Sequence, residues 1–414
     1  MFDSTVIRNA RLLQKPGLYQ ISIEGHQVKH ISPETSTPVT PSSIDIAGDW
    51  LSLGAVDLQI NGALGLAFPD LRLTDLGPLQ TICDLLWHQG IDSFCPTIVT
   101  TSLDNFHGSL AAIQAFKEQQ QNHLKQQNQL KQGQLKKDQP KRTGAQVLGA
   151  HLEGPFLNAA KRGAHPAEYL QPLTLDNVKT VIADFAEVIS IVTLAPEQAL
   201  EAGVIAWLTG QGITVSLGHS LATAQQAIAA FEQGATMVTH AFNAMPGLHH
   251  REPGLLGAAL IDSRVHCGFI ADGQHICPTM LDLLLRAGRG RADTRANIPL
   301  LDGLFLVSDA LSPLGLPDGT YPWDSRQIEV VNGTARLADG TLSGTTLPLI
   351  DGALNLVKWG LCSAEEAIAL VTQAPRMAMG ITSLTIGSRA QFLRWQQTAH
   401  RKLTWQRLAP GIKA

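Results

Sequence analysis

Glu153, His219, His240 and Asp309 are the side chains of this sequence with the most chemistry to offer, because each lies at the end of an apolar, β-rich run. Glu153 stands in His151-Leu152-Glu153-Gly154-Pro155, His219 in Gly218-His219-Ser220, His240 in His240-Ala241-Phe242-Asn243, and Asp309 in Ser308-Asp309-Ala310. A carboxylate with two imidazoles is a ligand set for a catalytic divalent ion that leaves a position open to water. A further carboxylate beside it is the right type for a general base. Singly, each has a plainer reading: a histidine at a strand end is commonly a hydrogen-bonded structural residue, and a carboxylate before Gly-Pro can cap a turn. Together at one mouth, they require a cation or dense hydrogen bonding to offset their burial.

The elements that must bring them together are legible as alternation. Eight β-type runs occupy 56–61, 91–99, 147–154, 188–195, 213–219, 237–243, 265–273 and 304–310, with helix-like stretches such as 221–233 and 278–289 between neighbours. This pattern predicts an α/β chain, a (β/α)8 TIM-like barrel, although an open parallel sheet gives the same local signals. In a barrel the C-terminal strand ends form one mouth, where catalytic groups sit. Residues 1–50 are β-rich around Val6-Ile7, Tyr19 to Ile23 and Val28 to Ile31, and after a last helix over 364–372 the chain returns to β-type residues at 391–395. These ends are expected to pair into a small β-sandwich, dividing the chain into 1–50, a barrel over 51–380, and 381–414. Residues 117–142 are crowded with Gln and Lys, and read as a tolerated low-complexity insertion after the second barrel helix, a solvated or frayed helix.

Composition narrows the function classes. With 44% apolar and 16% charged residues in 414, the chain can bury a large core. Its 31 basic and 35 acidic residues give a net charge of −4, too mild to argue for a nucleic-acid or membrane-surface partner, and neither is expected, so any anion site must be built locally. Five scattered cysteines without a C-x-x-C pair fit a reducing compartment, and the absence of a leader-like or long apolar stretch points to a cytoplasmic protein.

The combination His151-Leu-Glu153-Gly-Pro155-Phe, Lys161-Arg-Gly-Ala-His165, Gly218-His219-Ser220, Thr239-His240-Ala-Phe-Asn243-Ala-Met245 and Val307-Ser-Asp309 resembles the N-acetylglucosamine-6-phosphate deacetylase family of the amidohydrolase superfamily, in the same order from about Leu53 to Gly380. The resemblance implies hydrolysis of the acetamide of an amino-sugar phosphate. It implies Glu153, His219 and His240 as metal ligands, Asp309 as general base and acid, and His165 as donor to the developing oxyanion. It implies substrate contacts from Ala164, His165, Asn243, Ala244, Arg251, Asp272, Gly273, Gln274, His275, Leu342, Ser343 and Gly344, and a homodimer. Leu342-Ser343-Gly344 continues as Thr345-Thr346, a mild departure from the family's pattern. Many amidohydrolases hold a second metal with His-x-His on the first strand, where this chain has Gln59-Ile60-Asn61. Neutral amides are poor zinc ligands beside imidazole, so one divalent ion per chain, zinc, is expected, with Gln59 and Asn61 hydrogen-bonding around it. The competing readings are a dihydropyrimidinase- or deaminase-like hydrolase of the same superfamily, and a non-catalytic barrel serving as an assembly module.

Overall fold

The computed structural model describes residues 4–34, 43–130, 144–291, 303–400 and 402–408. Eight parallel strands wind in chain order around a barrel: Ala55–Ile60, Ile91–Val99, Ala150–Glu153, Ile189–Leu194, Thr214–Leu217, Met237–Val238, His266–Phe269 and Leu304–Leu306. The seam between first and last is closed just beyond the strands, by Asp309 N–H to the Gln59 carbonyl at 2.9 Å and Asn61 N–H to the Ala310 carbonyl at 2.7 Å. The alternating rule of a strand sorts the core. Val56, Leu58, Cys95, Ile191, Met237, Ile270, Phe305 and Val307 fill the inside of the barrel, while Leu152, Val192, Val215 and Leu217 face the surrounding helices. His151 pairs with inward-facing Ile191, and Glu153 with Thr193, so both histidine and glutamate share the inner face.

The helices begin where their sequences cap them. Thr223 and Gln226 form a reciprocal capping box at Ala224–Glu232, and Ser363 with Glu366 does the same at Ala364–Ala378. The last helix runs past the expected 372 and carries Pro375 inside it; there Arg376 donates to the carbonyls of Thr372 and Gly54, both at 2.7 Å. Asp92 joins the barrel to the chain's end: it accepts from Gly54 N–H (2.7 Å), Arg376 (3.3 Å) and Arg407 (2.9 Å), and the Arg407 guanidinium lies 3.4 Å over the Trp87 ring.

The chain ends form two sheets, as the pattern predicts. Ser4–Ala10, Tyr19–Glu24, Gln27–Pro33 and Ser43–Asp45 make one; Trp50–Leu53, Phe392–Gln397 and Leu403–Leu408 make the other. Ile7, Ile21, Val28, Ile46, Leu51 and Phe392 form a shared core between them.

Three features depart from the sequence reading. The third barrel strand is broken into Gln146–Val147 and Ala150–Glu153, and the sixth and eighth strands stop short of their polar ends. The Gln/Lys-rich stretch begins inside a packed helix, Leu103–Leu130. There Lys117 Nζ donates to the Leu148 carbonyl (2.8 Å), and Gln120 donates to the Ala145 carbonyl (3.1 Å) while accepting from Val147 N–H (3.0 Å). Its remainder, 131–142, lies outside the described residues. Finally, after the eighth strand the chain builds an unforeseen antiparallel sheet from Gly319–Trp323, Arg326–Val331, Thr334–Leu337 and Leu342–Thr345, whose own small core is Leu311, Trp323, Ile328, Val330 and Ala335. A bridge between Ala310 and Thr345 fastens this flap sheet to the barrel mouth.

Candidate active site

The strands stop short because the site residues themselves turn the backbone. His219, His240 and Asp309 all have positive φ (48°, 31° and 49°), a left-handed conformation that costs a non-glycine residue energy and is concentrated at functional sites. Glu153 is followed by Gly154 at φ 87°, where a Cβ would meet Thr100 Oγ1 at 2.2 Å; only glycine lets the chain leave the third strand here.

The three expected ligands converge. Glu153 Oε1 lies 3.1 Å from His219 Nε2 and 3.0 Å from His240 Nε2, and the two Nε2 atoms are 3.0 Å apart. All three residues are buried, and they form a group able to hold a metal ion. His219 Nδ1–H donates to the Lys161 carbonyl at 2.8 Å, which leaves its Nε2 as a bare lone pair aimed at the cluster. Burial works to raise the Glu153 pKa, but the imidazoles of His219 and His240 beside it prevail and hold the carboxyl well below the usual range. Burial likewise opposes charge on His240, yet Glu153 wins and its pKa rises. The cluster therefore calls for one positive charge at its centre, which is the requirement a divalent cation meets.

Asp309 faces this cluster from the eighth strand's end. Burial and the neighbouring Glu153 charge push its pKa up to about 6. Its Oδ1 accepts from Asn61 Nδ2 (2.7 Å) and Gln59 Nε2 (3.3 Å), leaving Oδ2 for proton transfer; Gln59 Nε2 also reaches Glu153 Oε1 at 3.1 Å. His165 approaches from the loop after the third strand. Thr100 N–H donates to its Nδ1 at 3.3 Å, which places the proton on Nε2, and Nε2 stands 4.0 Å from Glu153 Oε1. Burial, and after it the neighbouring His219, lowers the His165 pKa to about 3, so the ring is a neutral donor.

His151 shares the inner face but both its nitrogens are engaged. Nδ1–H donates to the Leu58 carbonyl (3.0 Å) and Nε2 accepts from Thr193 Oγ1 (2.7 Å), which in turn pairs with Thr239 and through it with Ser216. Burial lowers its pKa to about 4. It is a buried structural histidine.

A cavity of about 320 Å³ opens over the cluster. Its wall includes Asn61, Ala164, His165, Asn243, Ala244, His275, Leu342 and Ser343, besides Glu153, His219, His240 and Asp309. His275 is held by Asp272, whose Oδ2 accepts from Nδ1 at 2.6 Å while Oδ1 takes the N–H groups of Gln274 and His275. Asp272, Gly273 and Gln274 thus stand behind His275 and outside the wall, Gly344 lies buried against the Asp309 carbonyl, and Arg251 is exposed and not part of the wall. The wall also holds five residues the sequence reading did not name for the site: Val99, Ala160, Lys161, Gly163 and Trp323. Of these, Lys161 stood in a quoted motif, whereas Trp323 depends on the flap sheet.

Among the described residues no helix is long and apolar enough to cross a membrane. No family model matches the chain. Whole-chain relatives are nonetheless clear. The N-acetylglucosamine-6-phosphate deacetylase of Rattus norvegicus is 36% identical over 375 residues, covering 87% of this chain and 83% of the relative. The N-acetylgalactosamine-6-phosphate deacetylase of Escherichia coli O157:H7 is 31% identical over 410 residues, covering 97% of both. The crystal structure of N-acetylglucosamine-6-phosphate deacetylase from Pasteurella multocida superposes with a TM-score of 0.77 at 26% identity, covering 97% of this chain and 99% of that one. With the barrel, the Glu-His-His cluster and these relatives together, the chain belongs to the N-acetylglucosamine-6-phosphate deacetylase family of the amidohydrolase superfamily.

Proposed function

We propose that this protein hydrolyses the acetamide of N-acetyl-D-glucosamine 6-phosphate, giving D-glucosamine 6-phosphate and acetate. The observation that carries this reading is the convergence of Glu153, His219 and His240 on one point, with Asp309 facing them, in a chain of this family. Glu153, His219 and His240 would hold one divalent ion, zinc. Such an ion supplies Lewis acidity, polarising the amide carbonyl and making a water molecule acidic near neutral pH. Gln59 supports a single ion, because it turns its N–H donors, the positive end of the amide, towards Glu153 and Asp309 where a second cation would sit.

The chain's own residues carry the proton. Asp309 takes it from the attacking water as the oxygen adds to the carbonyl carbon, and returns it to the nitrogen as the C–N bond breaks, so that a neutral amine leaves. His165 Nε2–H donates to the oxygen that gains charge in between, a contact typically worth about 3 kcal/mol of barrier. Asn61 and Gln59 hold Asp309 in place through Oδ1.

For the sugar phosphate, Ala164, His165, Asn243, Ala244, His275, Leu342 and Ser343 meet it at the wall. Asp272, Gly273, Gln274 and Gly344 shape that wall from behind, and Arg251 is assigned to the phosphate on the family's pattern alone. The barrel of residues 51–380 is the catalytic unit, and the sheets of 1–50 and 381–414 support it. A homodimer in the cytoplasm is the accompanying reading, supported for the compartment by cysteines that form no disulfide among the described residues. A dihydropyrimidinase- or deaminase-like reaction is not favoured, since the first strand offers no imidazole.

The test is acetate release from N-acetylglucosamine 6-phosphate, its galacto and manno isomers, and unphosphorylated N-acetylglucosamine. The gluco phosphate is expected to give the highest kcat/KM. Failure of zinc-loaded protein to release acetate from any of them overturns the reading.

A further inference from the structure

A hexose 6-phosphate brings about two negative charges into a cavity whose wall already carries the carboxylates of Glu153 and Asp309. Among the described residues the wall contains one lysine or arginine, Lys161. The exposed Arg251 is not part of it. Lys161 is half-buried, and its Nζ lies 3.4 Å from the Met245 carbonyl, one peptide beyond Ala244. It therefore stands at the rim formed by Asn243 and Ala244, which also line the cavity. That rim is irregular backbone: Phe242 and Ala244 have positive φ (72° and 51°) on either side of Asn243, whose own N–H donates to the His240 carbonyl at 2.9 Å.

We propose that the Lys161 ammonium binds the substrate's phosphate at this rim, resting on the deacetylase reading above. The backbone explains why the lysine is well placed. Lys161 N–H donates to the Asn158 carbonyl (2.8 Å), Asn158 N–H donates to the His219 carbonyl (3.0 Å), and the Lys161 carbonyl receives His219 Nδ1–H (2.8 Å). One residue thus touches both ends of the substrate's requirements. Its main chain orients a histidine of the Glu-His-His cluster, and its side chain offers charge to the phosphate. A lone hydrogen bond to Met245 is the plainer role; it predicts a loss of stability without any preference between substrates.

The experiment compares wild type, Lys161→Met and Lys161→Arg on N-acetylglucosamine 6-phosphate and on N-acetylglucosamine, with binding of inorganic phosphate measured by calorimetry. Lys161→Met is expected to raise KM for the phosphorylated sugar about 100-fold, and to shrink the preference for it over the unphosphorylated one by a similar factor, since a charge-assisted contact made before and during reaction is lost. Lys161→Arg should recover much of that preference, and Lys161→Met should bind inorganic phosphate more weakly. Zinc content should stay at the wild-type level because the carbonyl that orients His219 remains. Equal losses on both sugars, or an unmoved KM in a variant with wild-type melting, overturn the proposal. If wild type releases no acetate from the phosphorylated sugar, the deacetylase reading fails, and the phosphate titration alone then decides Lys161: equal binding by wild type and Lys161→Met overturns its role.

Discussion

Arg326, at the tip of the flap sheet, donates from Nη2 to the carbonyl of Ala164 at 2.6 Å, across the mouth of the cavity. Asp324 keeps the guanidinium in plane with contacts at 3.0 and 2.5 Å, and the carbonyl it grips belongs to the residue preceding His165. Arg162 takes the next carbonyl, that of His165, at 2.7 Å. The loop that presents His165, the proposed oxyanion donor, is therefore pinned from both sides.

If the pin positions His165, Arg326→Ala should lower kcat about tenfold with a smaller change in KM, because the donor matters most in the transition state. The pair of arginine and aspartate is partly exposed, so melting should move little. Steady-state kinetics beside a thermal melt decide it; unchanged kcat would reduce the contact to a structural one.

Asp309→Asn should retain fold and zinc but lose several orders of magnitude in kcat, because the amide cannot accept the proton. The proposed base works ionised, so activity should fall as pH drops through the Asp309 pKa, which burial and the Glu153 charge raise to about 6. A cation on Glu153, His219 and His240 adds positive charge and moves that acid limb lower. Activity of the variant within tenfold of wild type would sink the assignment.

Asp57 gives a stability signature separate from catalysis. It is buried beneath the site, its Oδ1 accepting from Ser308 N–H (3.2 Å) and Gln59 N–H (3.3 Å), and burial pushes its pKa from 3.8 to about 7. The folded state prefers the protonated form, so this contribution to stability is complete below pH 3.8 and is lost as pH rises through about 7. Asp57→Asn keeps the acceptor and removes the titration, and its melting temperature should decline less than that of wild type between pH 6 and pH 8.5. Parallel declines would show that Asp57 is already ionised in the fold.

Asp92→Ala should be strongly destabilising, on the order of 3–5 kcal/mol, since it strands the largely buried guanidinium groups of Arg376 and Arg407. Chemical denaturation measures this, and a loss below about 1 kcal/mol would show that the two arginines find other partners.

Metal analysis of extensively dialysed protein should return one equivalent of zinc per chain. Two equivalents, both needed for activity, would overturn the single-ion reading and bring Gln59 into coordination.

The Glu-His-His cluster and Asp309 were legible because strand ends are marked twice, by the apolar run that stops and by the polar residue that stops it. Glu153, His219, His240 and Asp309 each carry both marks. Arg251 shows the limit of that logic: its type suits a phosphate, yet nothing in its neighbourhood fixes where the loop 249–253 points, and in the fold it is exposed. The flap sheet escaped because its strands are short and follow the last barrel strand, where the alternation predicts only helix. Its turns were nevertheless written in the sequence. Asn332-Gly333 joins two of its strands with φ of 50° and 77°, the pairing that tight hairpins select, and Asp339-Gly340 marks the next turn. The Gln/Lys-rich stretch misled by composition: Gln120 is polar, but its amide substitutes for a backbone partner at the broken third strand, so Gln120→Ala belongs with the packed residues and not with the tolerated ones.

The seam that closes the barrel joins Gln59 to Asp309 and Asn61 to Ala310, positions about 250 apart in the chain. Contacts of such separation are costly to form early in folding, because a long loop must be ordered before they return any energy. Asp309, the proposed proton acceptor, and the two amides that hold it therefore meet only when the last staves of the cylinder join. A nascent or half-assembled chain can own every residue of the chemistry and still be inert, so that appearance of activity during refolding reports ring closure and not the earlier collapse of the core.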